Sequence, residues 1–167
     1  MAKANETAQK KMTRGQTKDV KPVDAKTALS DWQAFYAKEF GLTLDLSTLE
    51  VPAQRDGFTR LVVVVEGMTA NKVFEACRKH FQCWRYTDNL DAITNDPAPS
   101  CTYAAWFRDR VEADEEMANK SADNLTVQNV NGITLIERLL MELKYFTETG
   151  KHFDSVNYTL CTGSRDP

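Results

Sequence analysis

The chain of 167 residues is 42% hydrophobic and 27% charged, and it carries a formal net charge of −3. These values are typical of one globular domain whose hydrophobic core is stable without disulfides or bound metal ions. The sequence excludes a helical membrane protein, because no apolar run approaches the roughly 20 residues that a spanning helix needs. The four cysteines form no CxxC pair, and no apolar stretch precedes Trp32, so we expect a cytoplasmic protein.

The first 27 residues have the composition of a basic arm. They contain seven basic residues, three acidic residues and no aromatic residue, so their net charge is +4 and that of the remaining chain is −7. Because apolar positions do not recur periodically, we expect residues 1–27 to be disordered and residues 28–167 to form a single α+β domain. The arm either solubilises the protein or contacts an acidic partner, and its interspersed acids favour the first role.

Three elements are predicted in the first half of the domain. Apolar spacing predicts a helix over residues 27–41 that ends at Gly41. A valine-rich strand follows at residues 58–66, and its β-branched residues on both faces indicate a strand that is covered on both sides. An amphipathic helix with Thr69 as its N-cap is predicted over residues 70–81.

The second half is richer in predicted strands. Thr134 and Glu137 form a capping box, and the helix that begins there ends at Gly150, where a left-handed residue is favoured. Residues 88–100 and 119–132 are predicted to be loops. Strands are predicted at residues 82–87, 101–111 and 156–161, and a short acidic helix at residues 112–118.

The predicted order after the first helix is β-α-β-β-α-β, which favours a ferredoxin-like fold. In that fold two helices pack on one face of a four-stranded antiparallel sheet. The extra N-terminal helix would cover the other face of the sheet or its edge.

Five segments together resemble a family of bacterial hypothetical proteins. The family has no assigned activity, so the resemblance implies no catalytic residue and no cofactor. The segments are WRYTDNLD at 84–91, RDRVEADEE at 108–116, GITLIER at 132–138, ELKYFTETGKH at 142–152 and TLCTGSR at 159–165.

Aromatic and basic residues alternate along two predicted strands. Trp84 and Tyr86 share one face of the first strand, and Trp106, Arg108 and Arg110 follow in the second. If these strands pair, one sheet face presents several aromatic rings beside arginines, as in RNA-recognition domains. The alternative is that these rings pack beneath the helices, which is the commoner position for aromatic residues.

Acidic residues cluster after the same strand. Asp109, Glu112 and Glu116 are spaced so that they could share a helix face and bind Mg²⁺, as in a metal-dependent phosphoesterase or nuclease. Ion pairs with the neighbouring arginines explain the same cluster without a metal. Cys77, His80 and Cys83 match none of the usual zinc-finger spacings, and a buried cysteine beside a surface histidine accounts for them better.

Catalytic and cofactor motifs are missing from the sequence. It contains no glycine-rich phosphate loop and no dinucleotide fingerprint, so no cofactor is expected. The sequence therefore favours a non-enzymatic binding protein without a membrane partner. A protein partner is favoured over single-stranded nucleic acid, because the acidic domain repels a phosphate backbone. A structural subunit of an assembly is the remaining alternative.

Overall fold

The computed structural model describes residues 23–165 and shows a mixed α/β architecture. The described chain contains four α-helices, two small antiparallel sheets and two 3₁₀ turns, at Leu90–Ala92 and Glu115–Met117. In chain order the elements are α1 (Ala25–Phe40), β1 (Phe58–Val64), α2 (Ala70–Arg78), β2 (Thr94–Asn95), β3 (Tyr103–Arg108), α3 (Ala122–Val127), α4 (Leu135–Thr149) and β4 (Ser164–Arg165).

Helix α1 begins earlier than the apolar periodicity predicts. The Asp24 carboxylate accepts hydrogen bonds from the amides of Lys26 at 3.3 Å and Thr27 at 3.2 Å, which caps the first turn. Gly41 ends the helix in a left-handed conformation with φ of 68°, as predicted. The end of the predicted arm therefore belongs to a helix, whereas the disorder predicted for residues 1–22 lies outside the described residues.

The main sheet consists of β1 and β3, which pair in antiparallel orientation. Leu61 lies opposite Trp106, and Val63 lies opposite Ala104. From Leu61 onwards every residue of β1 is buried, because α1 and α4 both contact this strand. The prediction that this strand is covered on both sides is therefore confirmed.

Helix α1 covers the outer edge of β1. The indole Nε1 of Trp32 donates to the Leu61 carbonyl at 3.0 Å, and the hydroxyl of Tyr36 donates to the Val63 carbonyl at 2.7 Å. Both rings are fully buried, so the fold satisfies these edge carbonyls with side chains rather than with a further strand.

The capping box at the start of α4 is confirmed. The Glu137 carboxylate accepts hydrogen bonds from the Thr134 amide at 2.7 Å and its hydroxyl at 2.8 Å, and the Glu137 amide donates to that hydroxyl at 3.2 Å. The hydroxyl of Tyr103 donates to the same carboxylate at 3.1 Å, which ties β3 to α4. Burial beside this carboxylate raises the pKa of Tyr103. Helix α4 then packs against α2 and β1.

Two of the predicted strands are wrong. Residues 82–87 pair with no strand among residues 23–165 and bend from Tyr86 onwards, and residues 156–161 are irregular. In the second case the Glu112 carboxylate accepts hydrogen bonds from the amides of three successive residues, 155–157. In a strand, successive backbone amides point to opposite sides, so three successive amides cannot bind one acceptor. The chain therefore bends at residues 155–157.

The second sheet forms where the sequence indicates connections. Strand β2, in the predicted loop 88–100, pairs with β4 after the predicted last strand. Close backbone contact between Gly132 and Gly163 brings the chain to β2 just before β4. Only glycine fits at residue 132, because a Cβ there would lie 1.8 Å from the Thr162 hydroxyl. The ferredoxin-like four-stranded sheet is therefore not confirmed, since the described residues form two two-stranded sheets instead.

The acidic segment after β3 also differs from its prediction. Only a 3₁₀ turn at Glu115–Met117 forms there, and the helix of this region is α3, which Ser121 caps within the predicted polar connection. Within residues 23–165, no helix has both the length and the apolar character needed to cross a bilayer.

Candidate interaction surface

The clearest candidate site is the segment of residues 82–88, which we call the aromatic segment. Its side chains alternate between solvent and the protein, as predicted for a strand. Trp84 is 82% exposed and Tyr86 is 67% exposed, whereas Arg85 between them is half-buried. The segment therefore presents two large aromatic rings to solvent from one side.

Polar contacts with α2 hold the middle and the C-terminal end of the aromatic segment. The Arg85 guanidinium donates to Asn71 Oδ1 at 3.1 Å and lies 4.9 Å from the centroid of the Phe74 ring. Asn71 also accepts a hydrogen bond from the Leu90 amide at 3.1 Å and donates to Asn89 Oδ1 at 2.8 Å. A single side chain, Asn71, thus binds three residues of the segment and its continuation.

Aromatic packing holds the other end. Immediately before the segment, the ring of Phe81 lies 4.8 Å from that of Phe146 and 4.9 Å from that of His152, between ring centroids. His152 is oriented in turn by Glu142, whose Oε1 lies 2.7 Å from His152 Nδ1. The aromatic segment is thus held at both ends and at Arg85.

Trp106 has a different environment. Its ring is half-buried on β3, and its Nε1 donates to the Pro52 carbonyl at 2.8 Å. Since β3 pairs with β1 and the aromatic segment pairs with no strand of the described chain, the structure does not join Trp84, Tyr86 and Trp106 into one sheet face. The predicted common aromatic face is therefore wrong.

The two arginines of the predicted site are engaged within the protein. Arg108 pairs with Asp114 and lies 4.6 Å from the centroid of the Phe58 ring. Arg110 lies 3.2 Å from Asp114 and 2.6 Å from Glu116. Both guanidiniums are thus neutralised locally and are poorly suited to hold phosphates.

The carboxylates of the metal hypothesis have three separate partners. Asp109 binds Arg60 at 2.6 Å, Glu116 binds Arg110, and Glu112 binds the backbone of residues 155–157. The Arg110 hydrogen bond lowers the pKa of Glu116 to about 2, and the backbone hydrogen bonds lower the pKa of Glu112. Among residues 23–165, no group of three or more acidic, histidine or cysteine side chains is placed to hold a metal ion.

The thiols of Cys77 and Cys161 are poorly suited to react, and His80 is engaged by a carboxylate. Cys77 is buried, which raises the pKa of its thiol to about 12, and His80 Nε2 lies 2.6 Å from the Glu39 carboxylate. Burial also raises the pKa of Cys161 to about 11, so this thiol is protonated at neutral pH and is a poor nucleophile.

A second exposed apolar stretch lies at residues 156–160, where the sequence predicted a strand. Val156, Tyr158 and Leu160 are all exposed, Tyr158 to 77%. Their alternation was the signal for a strand, but the sequence alone does not tell which alternating segments find a partner in a sheet.

Comparison with known proteins does not extend this description. No protein-family model, no curated protein and no solved structure matches the chain significantly. Membership of the bacterial family that the sequence resembles therefore stays a prediction.

Proposed function

We propose that this protein is a non-enzymatic binding domain that recognises another protein through the aromatic segment. The observation that carries the proposal is the exposure of Trp84 and Tyr86 on a backbone that is held at both ends. Large aromatic rings seldom project from a surface in this way without a partner, whereas singly exposed small apolar residues are common.

The two rings are suited to act as binding hot spots. Each aromatic side chain buries about 150–250 Å² when covered, and tryptophan and tyrosine dominate the energetics of protein interfaces. Replacing one such residue by alanine typically weakens binding by about 2 kcal/mol or more, which is roughly 30-fold in Kd. Two exposed rings in one short segment are enough for the centre of a small interface.

Preorganisation adds to this argument. A flexible loop loses conformational entropy when it binds, and this loss weakens the complex. Because Asn71 and Phe74 already hold Arg85, most of the ordering of this backbone has occurred during folding. The free energy gained by burying the two rings is therefore offset little by ordering of the segment on binding.

The charges favour a protein over single-stranded nucleic acid. Residues 23–165 contain fifteen basic and twenty-one acidic residues, and this excess of negative charge repels a phosphate backbone. Arg108 and Arg110, the predicted phosphate contacts, are paired with carboxylates instead. Aromatic stacking without free cations is a weak basis for nucleic-acid binding.

The test compares the protein with its Trp84→Ala, Tyr86→Ala double variant. A partner is captured from cell extract on the immobilised full chain, identified and purified, and its Kd is measured by calorimetry. We expect the double variant to lose binding by about 100-fold or more while its unfolding curve is unchanged. The control is Val127→Ser, which removes an equally exposed apolar side chain from α3 and should bind normally.

The same variants decide the nucleic-acid alternative. Labelled single-stranded DNA and RNA are titrated with the protein at low salt, where electrostatic binding is strongest. If the protein binds nucleic acid tightly and the double variant does not, the partner is nucleic acid rather than protein. If the double variant binds the captured protein as tightly as the wild type does, the aromatic segment does not lie in the interface.

A further inference from the structure

Arginines within the protein occupy a recurring type of site, an aromatic ring beside a carboxylate. The Cζ atom of Arg60 lies 5.2 Å from the centroid of the Tyr145 ring, and the same guanidinium lies 2.6 Å from the Asp109 carboxylate. Arg108 and Arg138 each lie over a phenylalanine ring and pair with an aspartate. The face of a ring attracts the cation, and the carboxylate accepts its N–H groups. A ring and a carboxylate close together therefore bind arginine in this fold.

The aromatic segment presents the same chemical groups to solvent. Trp84 and Tyr86 are exposed, and the exposed residue Asp88 follows Tyr86 by two positions. An extended chain spans at most about 3.6 Å per residue, so the Cα atoms of Tyr86 and Asp88 are no more than about 7 Å apart. None of the ion pairs within residues 23–165 involves the Asp88 carboxylate. The two rings and this carboxylate are therefore accessible to a partner.

The segment's own arginine is directed elsewhere. Arg85 is half-buried against α2, where its guanidinium donates to Asn71 Oδ1 at 3.1 Å. It is the single basic residue among residues 82–91, which also contain the exposed acids Asp88 and Asp91. The exposed charges of the segment and its continuation are therefore negative, which favours a positively charged partner.

We propose that the aromatic segment binds a basic segment of its partner through an arginine side chain, an inference that rests on the proposed function. The guanidinium lies on the face of Trp84 or Tyr86, and the Asp88 carboxylate accepts its N–H groups. Tryptophan attracts cations most strongly among the aromatic residues. Arginine is favoured over lysine, because its planar guanidinium stacks on a ring and donates two parallel hydrogen bonds to a carboxylate.

Synthetic peptides test this inference on the full chain. A short acetylated peptide of alternating arginine and serine is compared with the same peptide carrying citrulline, which has nearly the shape of arginine but no charge. Binding is followed by NMR at the backbone amides of residues 82–91. We expect the arginine peptide to bind about fivefold more tightly than the citrulline peptide, because only the charged side chain gains from the rings and the carboxylate.

Variants separate ring stacking from burial of apolar surface and from net charge. Trp84→Leu keeps an apolar side chain but removes the aromatic face, so the preference for arginine over citrulline should fall to about twofold or less. Asp88→Asn should weaken binding of the arginine peptide about threefold. Asp123→Asn on α3 makes the same change of charge elsewhere on the surface and should leave the affinity unchanged.

Three results would overturn the inference. They are equal affinity for the two peptides, an undiminished preference for arginine in Trp84→Leu, and equal weakening by Asp88→Asn and Asp123→Asn. The proposed function is judged separately, by the loss of the captured protein in the Trp84→Ala, Tyr86→Ala double variant. If that loss occurs while the arginine peptide shows no preference, the rings bind a partner of different chemistry and only the present inference fails.

Discussion

The aromatic segment and β3 carry the same types of residue in opposite surroundings. In the aromatic segment Trp84 and Tyr86 project into solvent, while Arg85 is turned inward and bound by Asn71. On β3 the ring of Trp106 is half-buried and hydrogen-bonded, and Arg108 is paired with Asp114.

This difference follows from strand pairing. Strand β3 pairs with β1, so its side chains are held against other elements and serve stability. The aromatic segment pairs with no strand within residues 23–165, and its outward side chains, Trp84 and Tyr86, remain exposed. Similar residue types thus contribute to folding in one region and remain available for binding in the other.

The largest expected contrast is between the two tryptophans. Trp106→Ala should lower the free energy of unfolding by about 3 kcal/mol, because a packed ring and a hydrogen bond are lost. Trp84→Ala should change it by less than about 0.5 kcal/mol. Urea titration followed by circular dichroism measures both, and Trp106→Phe isolates the contribution of the indole N–H. Similar losses at both positions would show that Trp84 is packed.

Removing the support of the aromatic segment should have an intermediate effect. Asn71→Ala leaves Trp84 and Tyr86 in place but removes the hydrogen bonds to Arg85 and Leu90, which should cost about 1–2 kcal/mol of stability. Partner affinity should also fall, because the segment must then be ordered on binding. Calorimetry with the captured partner tests this, and Gln82→Ala, an exposed change in the same segment, is the control. Unchanged affinity would mean that preorganisation contributes nothing.

Releasing Arg108 at the end of β3 should have a smaller effect on stability. Asp114→Asn removes the ion pairs to Arg108 and Arg110, at a cost of about 1 kcal/mol or less because the groups are partly exposed. Arg110 keeps its pair with Glu116, but the freed guanidinium of Arg108 should raise the affinity for single-stranded RNA at low salt, measured by fluorescence anisotropy. Asp123→Asn gives the same change of charge elsewhere. An equal rise in both variants would reflect net charge alone.

The smallest expected effect concerns acid stability. Pairing with Arg110 lowers the pKa of Glu116 from 4.5 to about 2, so its contribution is present above pH 4.5 and is lost as the pH falls towards 2. Glu116→Gln should therefore flatten the pH dependence of unfolding in that window and leave it unchanged near pH 7. Thermal melts between pH 2 and pH 7 measure this. A slope equal to that of the wild type would show that the ion pair is absent in solution.

Local chemistry made α1, α2 and α4 predictable, whereas α3 was missed. The stripe of Leu29, Trp32 and Tyr36 is buried on α1, and the Thr134–Glu137 capping box forms as expected. These features depend on residues three or four positions apart, which the sequence places together in any helix. The alternation of Trp84, Arg85 and Tyr86 was predictable for the same reason.

Strand pairing and site composition were decided by contacts between distant residues. Glu112 bends the chain at residues 155–157, and Asn71 holds Arg85 beside α2. Neither contact has a signal in the local sequence, because each joins residues more than ten positions apart.

The amino-acid pattern alone was enough to predict α1, α2 and α4, the buried strand β1 and the alternation of Trp84 and Tyr86, because these depend on local periodicity and on side-chain chemistry. Contacts between distant residues selected which predicted strands formed and which aromatic rings stayed in solvent. The reason is that a strand is completed by hydrogen bonds to a neighbour, whereas a helix satisfies its own backbone.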